Sequence, residues 1–296
     1  METIPVLYDT DIGSDIDDAV ALAYLVNQPR CELLGVTTVT GETAKRASLV
    51  DAVCRAGGRE DIPIHVGVEG PLLVKQRQPH APHFEALTEK WPHRPFPSDN
   101  TAVNFLRDTI RARPGEITLL TTGPLTNAAL LFAMDPEIPS LLKQHVLMGG
   151  EFFGRGSQGV AEWNILCDPH AAAMVFAAPV PKVTAIGLDV TERCVLSADE
   201  CRNRFRSAGG PLAPVADMAE VWFRHSPYST FHDPIAAAII FEPSLCEMKT
   251  GRIAVELVSP YSIGQTLLFN DAQPHTVAKT IDPAKFFEHY FEVVGG

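Results

Sequence analysis

Residues 7–25 read LYDTDIGSDIDDAVALAYL and carry five aspartates, Asp9, Asp11, Asp15, Asp17 and Asp18, directly ahead of an apolar run. Carboxylates at that density repel one another unless a cation or a set of hydrogen-bond donors holds them together. An oxygen-only cluster without interleaved cysteine or histidine suits a hard divalent cation. Calcium takes about 6–8 oxygen ligands and magnesium an octahedral set, whereas zinc favours nitrogen and sulfur. Gly13 permits the sharp turn that would fold Asp9 and Asp11 back towards Asp17 and Asp18. Helix capping is the competing explanation, because acids are favourable in a first helical turn. It accounts for Asp15, and for Asp17 or Asp18, but not for Asp9 and Asp11 on the strand side. Metal or substrate chemistry is the expected role of the cluster.

The elements that must hold these side chains follow from the periodicity. IPVLYDT reads as a buried strand and DDAVALAYLVNQ as a helix stopped by Pro29. CELLGVTTV is a second strand, AKRASLVDAVCRAG a helix ended by Gly57, and IPIHVGV a third strand. Continuous apolar runs alternating with helical periods predict an α/β fold built on one open, mostly parallel, Rossmann-like sheet with helices on both faces. The alternation resumes with TLLTTGPLTNAALLFAMD, QHVLMGG and KVTAIGLDVT. A helix at HDPIAAAIIF, strands near RIAVELVS and TVAKTI, and a last helix at PAKFFEHYFEVV close the chain. Two stretches, about 71–100 and 207–231, show no period and are expected to be irregular, as lids often are. In such sheets ligands bind beyond the carboxyl ends of the strands. That edge collects residues 9–18, 121–127, 148–150 and Asp189.

With 296 residues, 46% of them apolar, and no Gly/Ser-rich or charged linker, the chain is expected to form a single domain over residues 1–296. A net charge of −12 argues against nucleic acid or an anionic membrane as partner and is compatible with a neutral small molecule or a cation. No apolar stretch approaches the ~20 residues of a membrane span. METIPVLYD enters a strand without the basic and apolar regions of a signal peptide, so a cytoplasmic location is expected. The six cysteines are scattered without a CxxC pair and read as reduced thiols.

DTDIGSDIDDA resembles the DxDxGxDDxxA signature of the nucleoside hydrolases, calcium-dependent N-ribohydrolases that release a base from a ribonucleoside. TLLTTGPLTNAALL, VLMGG, AEWNILCDPHAA, VTAIGLDVT and HDPIAAA follow in that family's order, and the likeness covers about residues 4–245. The resemblance implies hydrolysis of an N-glycosidic bond to free base and ribose, in nucleoside catabolism or salvage, by a homodimer or homotetramer that uses calcium (Ca2+). It implies that Asp11, Asp18, Asp233 and the main-chain carbonyl of Thr122 bind the ion, and that Asp11 also deprotonates a bound water. It further implies that Asp17 takes the 2′-hydroxyl, Asn164 the 3′-hydroxyl and Glu162 the 5′-hydroxyl of the ribose. Met148 would lie in the ribose pocket, and His232 near the leaving base. Those types suit a reaction that develops positive charge on the sugar ring, where carboxylates stabilise the cation and a positioned base takes a proton from water.

The chain departs from the family pattern at three places. GSDIDD has one residue more than usual between glycine and aspartate pair. Aligning on DDA makes Asp17 and Asp18 the functional pair, whereas a shifted register recruits Asp15. Glu42 stands where the family commonly has asparagine, which puts a carboxylate near the ribose or metal as a further substrate-binding candidate. Gly156 stands where many relatives carry a substrate-binding asparagine. Plainer roles compete for several residues: His232 as a surface histidine, Asp233 before Pro234 as a helix cap, Met148 as core, and Asn127 and Asp168 as caps. His80, His83 and His93 read as lid residues or as the solvated histidines common in proline-rich loops. Trp163, Phe152, Phe153, Trp222, Phe223 and Tyr228 can each stack on a base or fill the core. Two other functions remain: a ribosyl or nucleoside binder without turnover, and a haloacid dehalogenase-type phosphohydrolase, whose DxDx(T/V) motif DTDIG resembles except at Gly13.

Overall fold

The structure is a computed structural model that describes residues 3–154, 161–270 and 275–295. Its strands are β1 (Ile4–Thr10), β2 (Cys31–Thr38), β3 (Ile64–His65), β4 (Thr118–Thr121), β5 (Gln144–Met148), β6 (Val183–Ile186), β7 (Val195–Ser197), β8 (Tyr228–Thr230), β9 (Cys246–Val255), β10 (Thr266–Phe269) and β11 (His275–Ile281). Nine of them form one sheet in the order β10-β9-β11-β6-β5-β4-β1-β2-β3, while β7 and β8 pair separately. From β3 across to β11 all neighbours are parallel; β9 runs antiparallel to β11, and β10 antiparallel to β9. The open, mostly parallel sheet expected from the alternation is present.

β1 is sandwiched between β2 and β4, which is why its sequence is apolar on both faces. Val6 and Tyr8 point into one core and Leu7 into the other, as the two-residue period of a strand requires. The first core is closed by the helices Asp17–Asn27, Leu212–Trp222, His232–Phe241 and Pro283–Val294, through Leu22, Val215, Ile235 and Phe286. The second is closed by Ala102–Ala112, Thr126–Met134 and Pro169–Ala177, through Leu106, Leu131 and Val175. The run β3-β2-β1-β4-β5-β6 reverses direction between β1 and β4, and open sheets present their ligand crevice beyond such a reversal. Thr122 follows β4 there, and its N–H donates to the Asp9 carbonyl at 2.9 Å.

Residues 71–100 lack regular structure except for a short 3-10 turn at Pro82–Ala86. The second stretch expected to be irregular is instead ordered. The helix Ala198–Ala208 runs into it, Leu212–Trp222 is a full helix, and Tyr228–Thr230 pairs with Val195–Ser197. Leu212, Val215, Ala216 and Ala219 bury a helical stripe that the sequence reading missed. Pro214 masked it, yet proline costs little in a first turn where the N–H has no intrahelical partner. VTAIGLDVT likewise divides, strand ending at Ile186 and a short helix occupying Leu188–Thr191. No helix among the described residues is long and apolar enough to cross a membrane.

His145 in β5 is fully buried, with Nε2 paired to Thr121 Oγ1 at 2.9 Å, and burial pushes its pKa down to about 3. The unfolded chain takes up this proton near the ordinary histidine value and the folded chain does not. Stability from the neutral ring is therefore complete above about pH 6.5 and lost as pH falls towards 3, about 2 kcal/mol by pH 5. His145→Gln should move the midpoint of acid unfolding, followed by circular dichroism, to lower pH; an unchanged midpoint would exclude this contribution.

Candidate active site

At the end of β1 the chain turns sharply through Gly13, whose φ of +118° favours glycine and where a Cβ would stand 2.6 Å from Leu49 Cδ1. The turn delivers Asp17 and Asp18 into the first turn of the helix Asp17–Asn27. Asp18 Oδ1 accepts from Thr10 Oγ1 at 2.5 Å and from Thr122 Oγ1 at 2.9 Å, so hydroxyls at the ends of β1 and β4 fix it. Asp17 Oδ2 accepts the Asp233 main-chain N–H at 3.2 Å, where the helix His232–Phe241 begins. Two helix N-termini thus meet, each favouring negative charge.

One carboxylate oxygen from each of Asp17, Asp18 and Asp233 lies within 4.8 Å of the others, and all three residues are buried. Burial, followed by mutual repulsion, drives their pKa values well up. Burial also raises Asp11, against which the charge of Arg46 acts. Three buried oxygen donors that resist ionising side by side are what a hard dication relieves, and the trio itself offers oxygen alone, so these residues fit a hard dication such as calcium. The close trio contains Asp17 where the resemblance implied Asp11.

Arg46 organises the surroundings. It is fully buried and donates to the carbonyls of Thr40 at 2.6 Å, Gly41 at 2.9 Å, Ile12 at 3.0 Å, His80 at 3.1 Å and Asp11, and to Ser14 Oγ at 3.1 Å. One guanidinium thereby ties the aspartate turn, the loop after β2 and the 71–100 stretch together. Its spacing with Leu49, Val50 and Val53 on the buried helix face was the available signal, and the sequence reading passed over it.

These residues surround a cavity of about 610 Å3 lined by Asp11, Asp15, Asp17, Asp18, Thr122, Met148, Glu162, Asn164, His232 and Asp233 among others. That is within the usual range of small-molecule sites, roughly 300–1,000 Å3. Asn164 Nδ2 donates to the Thr122 carbonyl at 2.6 Å and to the Met148 carbonyl at 3.3 Å, which places it between β4 and β5. Glu162 caps its helix, accepting from Asn164 N at 2.7 Å and from Ile165 N and Gly150 N at 3.1 Å each, and burial pushes its pKa up to about 7. His232 Nδ1 pairs with Thr191 Oγ1 at 2.7 Å, and burial pulls its pKa down to about 4. The ring is neutral near pH 7.

Glu42 is the predicted site residue that the fold leaves outside the cavity lining. Its carboxylate accepts from Ala81 N at 2.9 Å and pairs with Lys45 at 2.6 Å. The backbone of Glu42 is left-handed, with φ of +48°, which aims the side chain at the 71–100 stretch. Asp15 lines the cavity but spends Oδ1 on Ile16 N at 2.5 Å. Gly156 lies outside the described residues. Asp168 caps a helix as expected, accepting from Ala171 N at 3.1 Å. Asn127 does not cap: its amide donates to Asp9 Oδ1 at 2.8 Å and its carbonyl accepts from Val68 N at 3.1 Å, joining β1 to the segment after β3. Of the candidate aromatics, Trp163 and Trp222 line the cavity, as does His80, whereas His83 is buried. Gln78, in the aperiodic stretch, also lines it and gave no sequence signal.

The sequence profile of the inosine-uridine preferring nucleoside hydrolases matches residues 6–288. The chain belongs to the inosine-uridine preferring nucleoside hydrolase family. A pyrimidine-specific ribonucleoside hydrolase from Shewanella woodyi is 33% identical over 97% of this chain and 96% of its own. A plant nucleoside hydrolase structure superposes with a TM-score of 0.86 at 25% identity, covering 99% of both chains. A purine-preferring ribonucleoside hydrolase from Gardnerella vaginalis gives 0.84 at 25% identity, covering 99% of this chain and 98% of that one. This nucleoside hydrolase is accordingly a ribonucleoside hydrolase, an N-glycosyl hydrolase. The family commonly binds calcium, and a buried aspartate cluster is present.

Proposed function

We propose that the enzyme hydrolyses the N-glycosidic bond of a ribonucleoside with a water that Asp11 deprotonates, at a site whose carboxylates would hold calcium. The observation that carries this reading is the convergence of Asp11, Asp17, Asp18 and Asp233 with Thr122, Glu162 and Asn164 around one cavity. Asp18, Asp233, Asp11 and the Thr122 carbonyl would hold the ion. Bound there, calcium supplies a more acidic water and an anchor for ribose hydroxyls.

The carboxylates surround the position where the sugar ring becomes positively charged, and a low-dielectric pocket strengthens that stabilisation. Asp17 accepts from the 2′-hydroxyl, Asn164 contacts the 3′-hydroxyl and Glu162 the 5′-hydroxyl. Asp11 takes the water proton as the water oxygen bonds to C1′ and the bond from C1′ to the base nitrogen breaks; the departing base takes a proton from solvent, and Asp11 returns its own to solvent. His232, neutral beside Asp233, faces the leaving base. Trp163 and Trp222 offer aromatic surfaces to that base, and stacking alone tolerates purine and pyrimidine alike.

A panel of purine, pyrimidine and modified nucleosides assayed for reducing sugar tests this. Free ribose should appear from at least one, vanish with chelator and return with added calcium. Inactivity across the panel would sink the hydrolytic reading for this chain, and chelator-resistant turnover would sink the calcium.

A further inference from the structure

Gln78 comes from the irregular 71–100 stretch yet joins two residues of the cavity. Its Nε2 donates to Asp11 Oδ2 at 2.5 Å, and its Oε1 accepts from Trp163 Nε1 at 2.6 Å. An indole N–H can only donate, so the amide oxygen must face Trp163 and the amide nitrogen must face Asp11. The main chain here is held closely: a Cβ on Gly41 would stand 2.3 Å from the Gln78 carbonyl oxygen. Trp163 opens the helix that Glu162 caps, is 40% exposed and lines the same cavity. Arg46 donates to the Asp11 main-chain carbonyl and not to the carboxylate, whose side-chain hydrogen-bond partners are Gln78 and Asp18.

We propose that Gln78 is a positioning residue for Asp11, and that Trp163 holds Gln78 in register, so that a base seated on the Trp163 ring orients the carboxylate that takes the proton. This rests on the assignment of Asp11 as general base. Even where Asp11 also helps to hold the ion, its carboxylate plane can tilt, and a tilted carboxylate spends only part of its time aimed at the reacting water. A charge-assisted donor on one oxygen narrows that tilt, and small misalignments of a reacting group are costly in rate. Binding at Trp163 and proton transfer at Asp11 are then linked through one amide.

The test is a double-mutant cycle on the calcium-loaded enzyme with its best nucleoside from the panel. Gln78→Leu removes both bonds and should lower kcat about 10–30-fold with KM changed less than about threefold. Trp163→Phe keeps an aromatic ring but loses the donor, and should lower kcat about 3–10-fold. The double variant should lose no more than Gln78→Leu alone, because both break one chain. Losses that multiply, or a raised KM with kcat intact, would show that the two residues merely wall the pocket and would overturn the proposal. A readout independent of turnover is the indole N–H resonance of Trp163 in 1H–15N spectra, assigned by its absence from Trp163→Phe. It should move in Gln78→Leu; a resonance that stays in place overturns the link. Asp11→Ala separates the two levels of argument. If it stays active, the base assignment fails; if it is inactive while Gln78→Leu is unaffected, only the positioning role fails.

Discussion

Asp11→Ala should lower kcat for nucleoside hydrolysis by about 10^3-fold or more, the upper part of the range for a general base. The residue sits at the end of β1, buried to 5% exposure, with its carboxylate on the cavity and its main chain locked by Arg46. A substitution there removes a proton acceptor and one negative charge from the cluster, while leaving the sheet that carries it intact. Asp11→Asn keeps the shape and loses both functions, so it should be nearly as impaired. Asp15→Asn, at the additional position of the turn, should lose less than about fivefold, because Asp15 spends an oxygen on its own neighbour's N–H. Steady-state kinetics on these variants and on Asp17→Asn decides the register. An Asp11→Ala enzyme keeping more than about a tenth of the wild-type kcat would refute the assignment, and a collapse at Asp15 with an active Asp17→Asn would shift it by two residues.

Calcium should stabilise the fold, and more so at pH 8 than at pH 5.5. Burial and mutual repulsion raise the folded-state pKa values of Asp17, Asp18 and Asp233 above those of the unfolded chain. Without metal the folded cluster keeps its protons, so its contribution is fully present at low pH and is lost as pH rises through the folded values. A dication binds the ionised carboxylates and reverses that dependence. At about a hundredfold excess over Kd the ion adds about 2.7 kcal/mol, which for a chain of this length raises Tm by about 5 °C. Scanning calorimetry with calcium and with chelator at both pH values measures the gap, which Asp233→Asn should largely abolish. Superimposable melts at pH 8 would mean that the cluster holds no calcium.

The part of the fold nearest the site was the part most readable from sequence. Strands β1, β2, β4, β5 and β6 are largely buried on both faces, so they appear as apolar-rich runs without polar alternation. The helix Leu212–Trp222 was hidden because Pro214 and the Gly209–Gly210 pair imitate a loop, although its apolar stripe has a helical period. Asp11, Asp17 and Asp18 announced themselves by crowding. Asp233 did not: only an ordered set of motifs linked it to the N-terminal turn, since no spacing rule connects residues brought together by tertiary structure. Glu42 and Gln78 show the limit from opposite sides. Each lies where the backbone has no period, so neither the outward direction of one carboxylate nor the inward reach of the other amide could be derived from its neighbours.

Asp17 and Asp233 touch across 216 positions of chain, carried by helices that pack directly on each other. Closing a loop of that length costs a flexible chain about 5 kcal/mol in entropy. The catalytic pocket is therefore completed late in synthesis: until the helix His232–Phe241 has been added, the aspartate turn lacks Asp233 opposite it. An ion shared between Asp18 and Asp233 would act on folding as a removable cross-link between two helices far apart in the chain. Loss of that ion would loosen the closure of the chain as well as silence its chemistry.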